Sequence, residues 1–177
     1  MTRVVKLVCG GAVLGLLIWS GVVQATLCQS ITGPSNPDEV YIDHGDGTVT
    51  DTRTGLMWRQ CSEGQNGANC EIGSVQMISS WADALRLAEA SSFAGRSDWR
   101  LPNVKELYSL VEECRTFPTI NVHRFPNTPS VRFWSGSPFF DWLAFQVHFG
   151  HSSVSWVERD GAVEEEAGAV RLVRGGL

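Results

Sequence analysis

Short runs of alternating apolar and polar residues, separated by glycine-containing turns, begin the ordered part of this chain. The first run is Val40 to Ile42, followed by Thr48 to Asp51 and by Leu56 to Trp58. Between the first two runs, His44 to Gly47 contains the Asp-Gly pair that supplies the positive φ of a tight hairpin. The pattern predicts three short antiparallel strands.

Two later segments repeat apolar residues at the spacing of an amphipathic helix. Each begins with a capping residue followed three positions later by an acidic one. These pairs are Ser80 with Asp83 and Asn103 with Glu106. The apolar faces comprise Trp81, Ala84, Leu85 and Ala88 in the first helix, and Val104, Leu107, Tyr108 and Val111 in the second. The first helix is predicted to end near Gly95 and the second at Cys114.

Beyond the helices, four prolines between Phe117 and Pro138 predict a long ordered loop. Alternating apolar residues then predict further strands. These are Arg132 to Ser135, Leu143 to Phe149, Val154 to Val157 and Ala169 to Val173. Two helices between early and late antiparallel strands predict an α+β domain.

The first 25 residues have the features of a secretory signal peptide. Arg3 and Lys6 precede an apolar run over residues 7–23, and Val-Gln-Ala ends at Ala25. A transmembrane anchor is the alternative, because the run approaches the roughly 18 to 20 residues that span a bilayer. Four glycines in the run and the small-residue site favour cleavage after Ala25. We therefore predict a signal peptide (1–25), an irregular arm (26–39) and one domain (40–177). We expect the mature protein to have no membrane span and to lie in the periplasm, on the cell surface or outside the cell.

Composition narrows the range of partners. Without Arg3 and Lys6, 12 basic residues face 19 acidic ones, a net charge of −7. Nucleic acids and anionic membranes would be repelled by such a charge. We predict no nucleic-acid partner, and the oligomeric state is not indicated.

Four cysteines remain after cleavage, since Cys9 belongs to the removed segment. An even number in an exported chain suggests disulfides. We expect Cys61 to pair with Cys70, because they bracket a loop containing glycine and asparagine, which leaves Cys28 for Cys114. A zinc site would require short paired spacings such as Cys-x-x-Cys, which these cysteines lack.

Several strings, in the right order, resemble one family: the C-terminal domain of the collagen-like bacterial adhesin Lcl. The main strings are Gly45 to Asp51 with Thr54 to Trp58, Trp99 to Asn103 with Lys105 to Leu107, and Val170 to Gly176. Shorter ones are Arg59 to Cys61, Phe125 to Pro129 and Phe133 to Ser135. The resemblance covers about residue 40 to the end.

The resemblance implies a fold and a class of function. The family is similar to C-type-lectin-like folds, in which two helices flank a mixed antiparallel sheet with long irregular loops. For the adhesin it implies surface adhesion and binding of sulfated glycans. It implies no catalytic activity.

Two groups of residues invite a metal interpretation. His148 and His151 form His-x-x-His, but side chains around a strand end need not converge and no third ligand is evident. Asp43, Asp46 and Asp51 lack the spacing of an EF-hand and are better explained as residues of a hairpin. We predict no cofactor and no metal site at these residues, and the sequence does not indicate whether calcium binds elsewhere in the domain.

The strongest candidate for binding is an aromatic-rich stretch. It comprises Phe133, Trp134, Phe139, Phe140, Trp142 and Phe145. Strand alternation cannot bury all six rings, so we expect Phe139, Phe140 or Trp142 to be exposed as a contact surface. Arg100 is a further candidate ligand contact, although it could instead pair with a carboxylate or with carbonyl groups.

These observations favour a non-catalytic recognition or adhesion module that binds a glycan or an envelope protein. One alternative is an enzyme or maturation factor of the lectin-like, sulfatase-activating kind. Such an enzyme would need reactive thiols, and every mature cysteine has an expected partner. The other alternative is a structural subunit of an envelope assembly.

Overall fold

A computed structural model describes residues 33–160 and 166–175 of the protein. Its strands are β1 (Tyr41–Asp43), β2 (Thr48–Asp51), β3 (Leu56–Arg59), β4 (Gln65–Asn66), β5 (Ile72–Gly73), β6 (Arg132–Phe139), β7 (Leu143–His148), β8 (Ser153–Glu158) and β9 (Val173–Gly175). Its α-helices are α1 (Trp81–Glu89) and α2 (Val104–Tyr108), and a short 3₁₀ turn covers Asp38–Val40. Antiparallel sheets with two helices confirm the α+β prediction.

The first sheet has the strand order β1-β2-β3-β9, and all its neighbours are antiparallel. Aspartates stabilise its first turn: Asp43 Oδ1 accepts a hydrogen bond from the Gly45 N–H, and Asp46 Oδ1 accepts one from the Thr48 N–H. Asp51 is buried and paired with Arg53 at 2.8 Å. The three aspartates therefore serve the hairpin and its neighbouring turn.

The second sheet has the order β6-β7-β8. Its register shifts between Trp134 and Pro138, which marks a bulge in β6. Beyond the bulge Pro138 pairs with Ala144, so β6 continues to Phe139. The prediction that the irregular loop extends to Pro138 is therefore wrong, because a bulge next to an edge position accommodates proline in a strand.

The C-terminal segment connects the two sheets. Ala169 forms a parallel bridge with Phe133 of the second sheet, whereas Val173 pairs with Trp58 of the first. The segment therefore crosses from one sheet to the other, and β9 begins only at Val173. The predicted strand over residues 169–173 was too early, because apolar residues in the crossing are buried without forming one continuous ladder.

Both helices begin where the sequence predicts and end earlier. Ser80 accepts a hydrogen bond from the Asp83 N–H, and Asn103 and Glu106 form a reciprocal capping box. α1 ends at Glu89, and α2 ends at Tyr108 because Val111 pairs with Ile120 instead of continuing the helix. A pairing between residues nine positions apart thus replaces the local helical pattern.

The core consists of two groups of buried side chains. One includes Trp58, Leu107, Phe125, Phe133, Val147 and Phe149. The other lies between α1 and the second sheet and includes Ala84, Ala88, Trp99, Trp134, Ala144 and Val157. The second sheet therefore uses both faces, one toward α1 and one toward α2.

The predicted bridge between Cys61 and Cys70 is present, with Cα atoms 5.3 Å apart. Cys28 and the predicted signal peptide lie outside the described residues, so the pairing of Cys28 with Cys114 stays a prediction. Over residues 33–160 and 166–175, no helix is long and apolar enough to cross a membrane.

Candidate functional site

Five aromatic rings form a continuous cluster at one end of the second sheet. Phe139 is central: its ring centroid lies 4.5 Å from Phe140, 4.9 Å from Phe145 and 5.4 Å from Trp156. Phe140 in turn stacks against Trp142 at 6.2 Å, with 21° between the ring planes. We call Phe139, Phe140, Trp142, Phe145 and Trp156 the aromatic surface.

Three of these rings are largely exposed to solvent. The exposed fraction is 65% for Phe140, 64% for Trp142 and 58% for Trp156, whereas Phe139 and Phe145 are partly buried beneath them. Three large neighbouring rings in water are unusual for a protein surface and mark contact sites. The expected exposure of Phe140 and Trp142 is thus observed.

The sheet geometry explains why these rings are exposed while Phe133 and Trp134 are buried. Phe145 and Trp156 are directly opposite each other on neighbouring strands and point to the face that carries α2. α2 has only five residues, so it covers only part of this face. Phe140 and Trp142 lie in the turn between β6 and β7, outside the paired strands.

The turn that presents Phe140 and Trp142 is held by one arginine. Arg159 donates three hydrogen bonds of 2.8 to 2.9 Å, to the carbonyl oxygens of Phe140, Asp141 and Leu143. Its guanidinium also lies 4.5 Å from the ring centroid of Trp81. Phe140 adopts a φ of +56°, an unfavourable angle for a residue with a Cβ. The hydrogen bonds of Arg159 hold the turn in that conformation and so present the two rings in one orientation.

An apolar groove of about 370 Å³ continues the aromatic surface toward α2. Val104 and Tyr108 line it on the helix side, and Phe145 and Val154 line it on the sheet side. Lys105 also lines it and is the only lysine after the predicted cleavage site. The groove extends the exposed apolar area beyond the rings themselves.

The structure does not bring Arg100 into the aromatic surface. Its guanidinium donates two hydrogen bonds to Glu106, at 2.7 and 2.9 Å, and one to the Gly175 carbonyl at 3.0 Å. Burial acts against ionisation of Glu106, but hydrogen bonds from Arg100 and the Asn103 N–H outweigh it and hold the pKa of this carboxyl below its usual value. Arg100 therefore links the cap of α2 to the end of β9, and we do not retain it as a ligand contact.

Trp156 is the member of the surface that sequence reasoning missed. The strand Val154 to Val157 was predicted, and its alternation places Val154 and Trp156 on one face. That alternation was the available signal. Which face meets solvent depends on what packs against each face of the sheet, and the strand pattern does not contain that information.

The two histidines, whose convergence the sequence did not require, are in contact. The rings of His148 and His151 are stacked with centroids 3.9 Å apart, and the Gly150 N–H donates to His148 Nδ1 at 2.8 Å. Burial and the neighbouring His151 lower the pKa of His148. No group of three potential metal ligands occurs in the part of the chain that the structure describes.

Comparison with known proteins assigns the chain to a family. The family model of the Lcl C-terminal domain matches residues 47–174, which include β2 to β8, both helices and the aromatic surface. Comparison with curated proteins gives no match. Because the family model covers more than half of the 177 residues, the chain belongs to the Lcl C-terminal domain family.

Proposed function

We propose that this protein is a non-catalytic recognition module of the cell envelope that binds a protein partner through the aromatic surface. The observation that carries the proposal is the exposure of Phe140, Trp142 and Trp156 as one contiguous cluster. Aromatic residues are enriched at the centres of protein interfaces, where they provide most of the binding energy.

The chemistry of the surface favours a protein over a glycan. A glycan presents many hydroxyl groups, which require polar side chains around the rings that contact it. Here the rings continue into a groove whose lining includes Val104, Tyr108 and Val154. A partner with complementary apolar side chains would bury this area without leaving polar groups unpaired. The surface is therefore suited to a protein partner.

The proposal places the protein outside the cytoplasm. A disulfide between Cys61 and Cys70 is typical of an oxidising compartment. The resemblance of the family to C-type-lectin-like folds agrees with a binding role, since such folds present ligand sites on irregular segments between regular elements. We propose, on these grounds, that the protein is exported and that its fold is lectin-like.

Binding is tested with single-ring variants. The immobilised, oxidised domain is titrated by surface plasmon resonance with purified envelope proteins of the same organism. Phe140→Ala, Trp142→Ala and Trp156→Ala should each weaken binding by about 5- to 30-fold, which corresponds to about 1 to 2 kcal/mol. Phe117→Ala is the matched control, because Phe117 is 71% exposed but is not in ring contact with the aromatic surface.

Two further measurements make the test decisive. The free energy of unfolding of the three variants should change by less than about 0.5 kcal/mol, because the rings are exposed. Affinity should vary little with salt, since apolar contacts release few counterions. Wild-type affinity in all three alanine variants would place the binding site elsewhere, and unfolding of each variant would identify the rings as core.

A further inference from the structure

A concave site of about 480 Å³ lies beside the turn between β7 and β8 and shares no lining residue with the aromatic surface. The turn contributes residues 150–152 to the lining, and the segment after α2 contributes residues between 113 and 119. Tyr108 of α2 completes the lining, and it also lines the apolar groove. We call this site the arginine cavity, after Arg115 in its lining.

Arg115 has a guanidinium group that is not engaged by any described residue. Every other arginine in residues 33–160 and 166–175 forms an ion pair, a hydrogen bond or another interaction with a neighbour. The Nε of Arg115 is buried and has no hydrogen-bond partner, whereas its terminal Nη1 and Nη2 keep contact with solvent. Only these two terminal nitrogens can therefore meet a ligand, and the guanidinium would approach it end-on.

Hydrogen bonds hold the two sides of the arginine cavity together. The N–H and the hydroxyl of Thr119 both donate to the Phe149 carbonyl, at 2.6 and 2.9 Å. On the turn, the Gly150 N–H donates to His148 Nδ1 at 2.8 Å, and the His148 ring stacks on His151. The cavity is thus formed without a ligand, so binding requires little ordering of the protein.

The surroundings of Arg115 direct an anion to the arginine cavity. Arg115 also lines a smaller concavity of about 210 Å³, but there Asp38 and Glu39 line the same site and would repel an anion. Among the described residues that line the arginine cavity, Glu113 is the only carboxylate. Glu113 is exposed, so solvent and salt screen its repulsion.

The lining combines this cation with apolar rings and a hydroxyl. Two terminal guanidinium nitrogens match the two oxygens of a carboxylate, and the Ser152 hydroxyl can donate a further hydrogen bond. Phe117, which is 71% exposed, and Tyr108 offer ring faces to an apolar group. A doubly charged group such as a phosphate would be opposed about twice as strongly by Glu113.

We infer that the arginine cavity binds a monoanionic carboxylate that bears an aromatic or branched apolar group. The carboxylate pairs with the terminal nitrogens of Arg115, and the apolar group contacts Phe117 and Tyr108. The volume lies within the range of about 300 to 1,000 Å³ that is typical of small-molecule sites. The same chemical group occurs in a free small molecule and at the C-terminal residue of a peptide.

Binding is tested by NMR titration of the ¹⁵N-labelled, oxidised mature protein. The probe 3-phenylpropionate should bind with a dissociation constant of about 1 mM or tighter. Its neutral amide, and glucuronate as a carboxylate without an apolar group, should each bind at least about tenfold more weakly. The peptide acetyl-Gly-Gly-Phe with a free carboxylate distinguishes the two sources. Tighter binding than that of 3-phenylpropionate assigns the cavity to a peptide C-terminus, and weaker binding assigns it to a small molecule.

Two charge variants on one segment should act in opposite directions. Arg115→Gln should weaken binding of 3-phenylpropionate about tenfold or more, because it removes the paired cation. Glu113→Gln should strengthen binding about two- to threefold, because it removes the like charge. Arg86→Gln is the matched control and should have no effect, since the Arg86 side chain is 71% exposed on α1 and does not line the cavity.

The exposed ring provides a variant that does not depend on the core. Phe117→Ala should weaken binding of 3-phenylpropionate about 3- to 10-fold, and it decides together with Glu113→Gln if Arg115→Gln fails to fold. Trp142→Ala should leave this binding unchanged, which separates it from recognition at the aromatic surface. The inference is overturned if neither carboxylate probe binds below about 10 mM, if the amide binds as tightly as 3-phenylpropionate, or if folded Arg115→Gln binds with wild-type affinity.

Discussion

Replacement of Arg171 by methionine tests how the two sheets are joined. Arg171 is fully buried, and its guanidinium donates to the carbonyl oxygens of Arg59 (3.1 Å) and Gln60. It also donates to the hydroxyls of Ser62 (3.2 Å) and Thr128 (2.7 Å). Burial, with the nearby charge of Arg59, lowers the pKa of Arg171 to about 9. The side chain therefore connects the end of β3 with the loop before β6.

The expected loss of stability follows from the oxygen atoms that would lose their hydrogen-bond donor in Arg171→Met. The hydroxyls of Ser62 and Thr128 can rotate toward other partners, but the two carbonyl oxygens cannot. Each carbonyl left unpaired is unfavourable by about 1 to 3 kcal/mol, so the two together contribute about 2 to 6 kcal/mol. Removal of a buried charge offsets part of this. We expect a net loss of about 3 kcal/mol, a large fraction of the 5 to 15 kcal/mol typical of a domain.

Urea denaturation of the oxidised domain measures this loss. The urea concentration at the midpoint of unfolding should fall, while the slope of the free energy of unfolding against urea concentration stays constant. A constant slope shows that the substitution changes stability and not the compactness of the denatured state. Lys105→Met, a matched removal of a cation that is not fully buried, should change stability by less than about 0.5 kcal/mol. If Arg171→Met leaves stability unchanged or raises it, desolvation of the buried charge outweighs its hydrogen bonds, and the predicted loss is refuted.

Three further predictions concern the covalent and protonation states. The double variant Cys61→Ser, Cys70→Ser should lose about 2.5 to 3 kcal/mol, because the bridge closes a loop of separation 9; equal denaturation midpoints with and without the bridge would contradict this. Because the pKa of His148 is lowered in the folded state, the unfolded chain binds a proton first, so stability should decline as the pH falls below about 6.5. His148→Gln should flatten that decline in thermal melts between pH 7.5 and 5.5, and an identical slope would rule out this residue as its source. Peptide mapping without reduction should recover Cys28 linked to Cys114, and a peptide linking Cys28 to any other cysteine would disprove the pairing.

Features that depend on neighbouring residues were predicted well. The Asp-Gly turn, the caps at Ser80 and Asn103 and the bridge from Cys61 to Cys70 all appear in the structure. Each joins residues no more than nine positions apart, so the sequence pattern contains both partners. Element ends were less accurate: Val111 pairs with Ile120, which is also only nine positions away, although its spacing fits the helical pattern equally well.

The candidate sites were predicted only in part. Exposure of Phe140 and Trp142 followed from the excess of rings in one stretch, but the contribution of Trp156 required the pairing of β7 with β8. Arg100 illustrates the opposite error, since the chemistry of a guanidinium fits a ligand and an internal carboxylate equally well. Only the distance to Glu106 distinguishes these roles.

The sequence by itself determined the family, the α+β class, the turns and caps, and the aromatic excess that no single sheet face could bury. Tertiary structure alone decided where α2 ends, which rings stay in water, and that Arg171 lies at the junction of the sheets. The physical reason is the distance along the chain between the residues that interact. Turns and caps are satisfied within a few residues, whereas burial depends on surfaces brought together from distant parts of the chain.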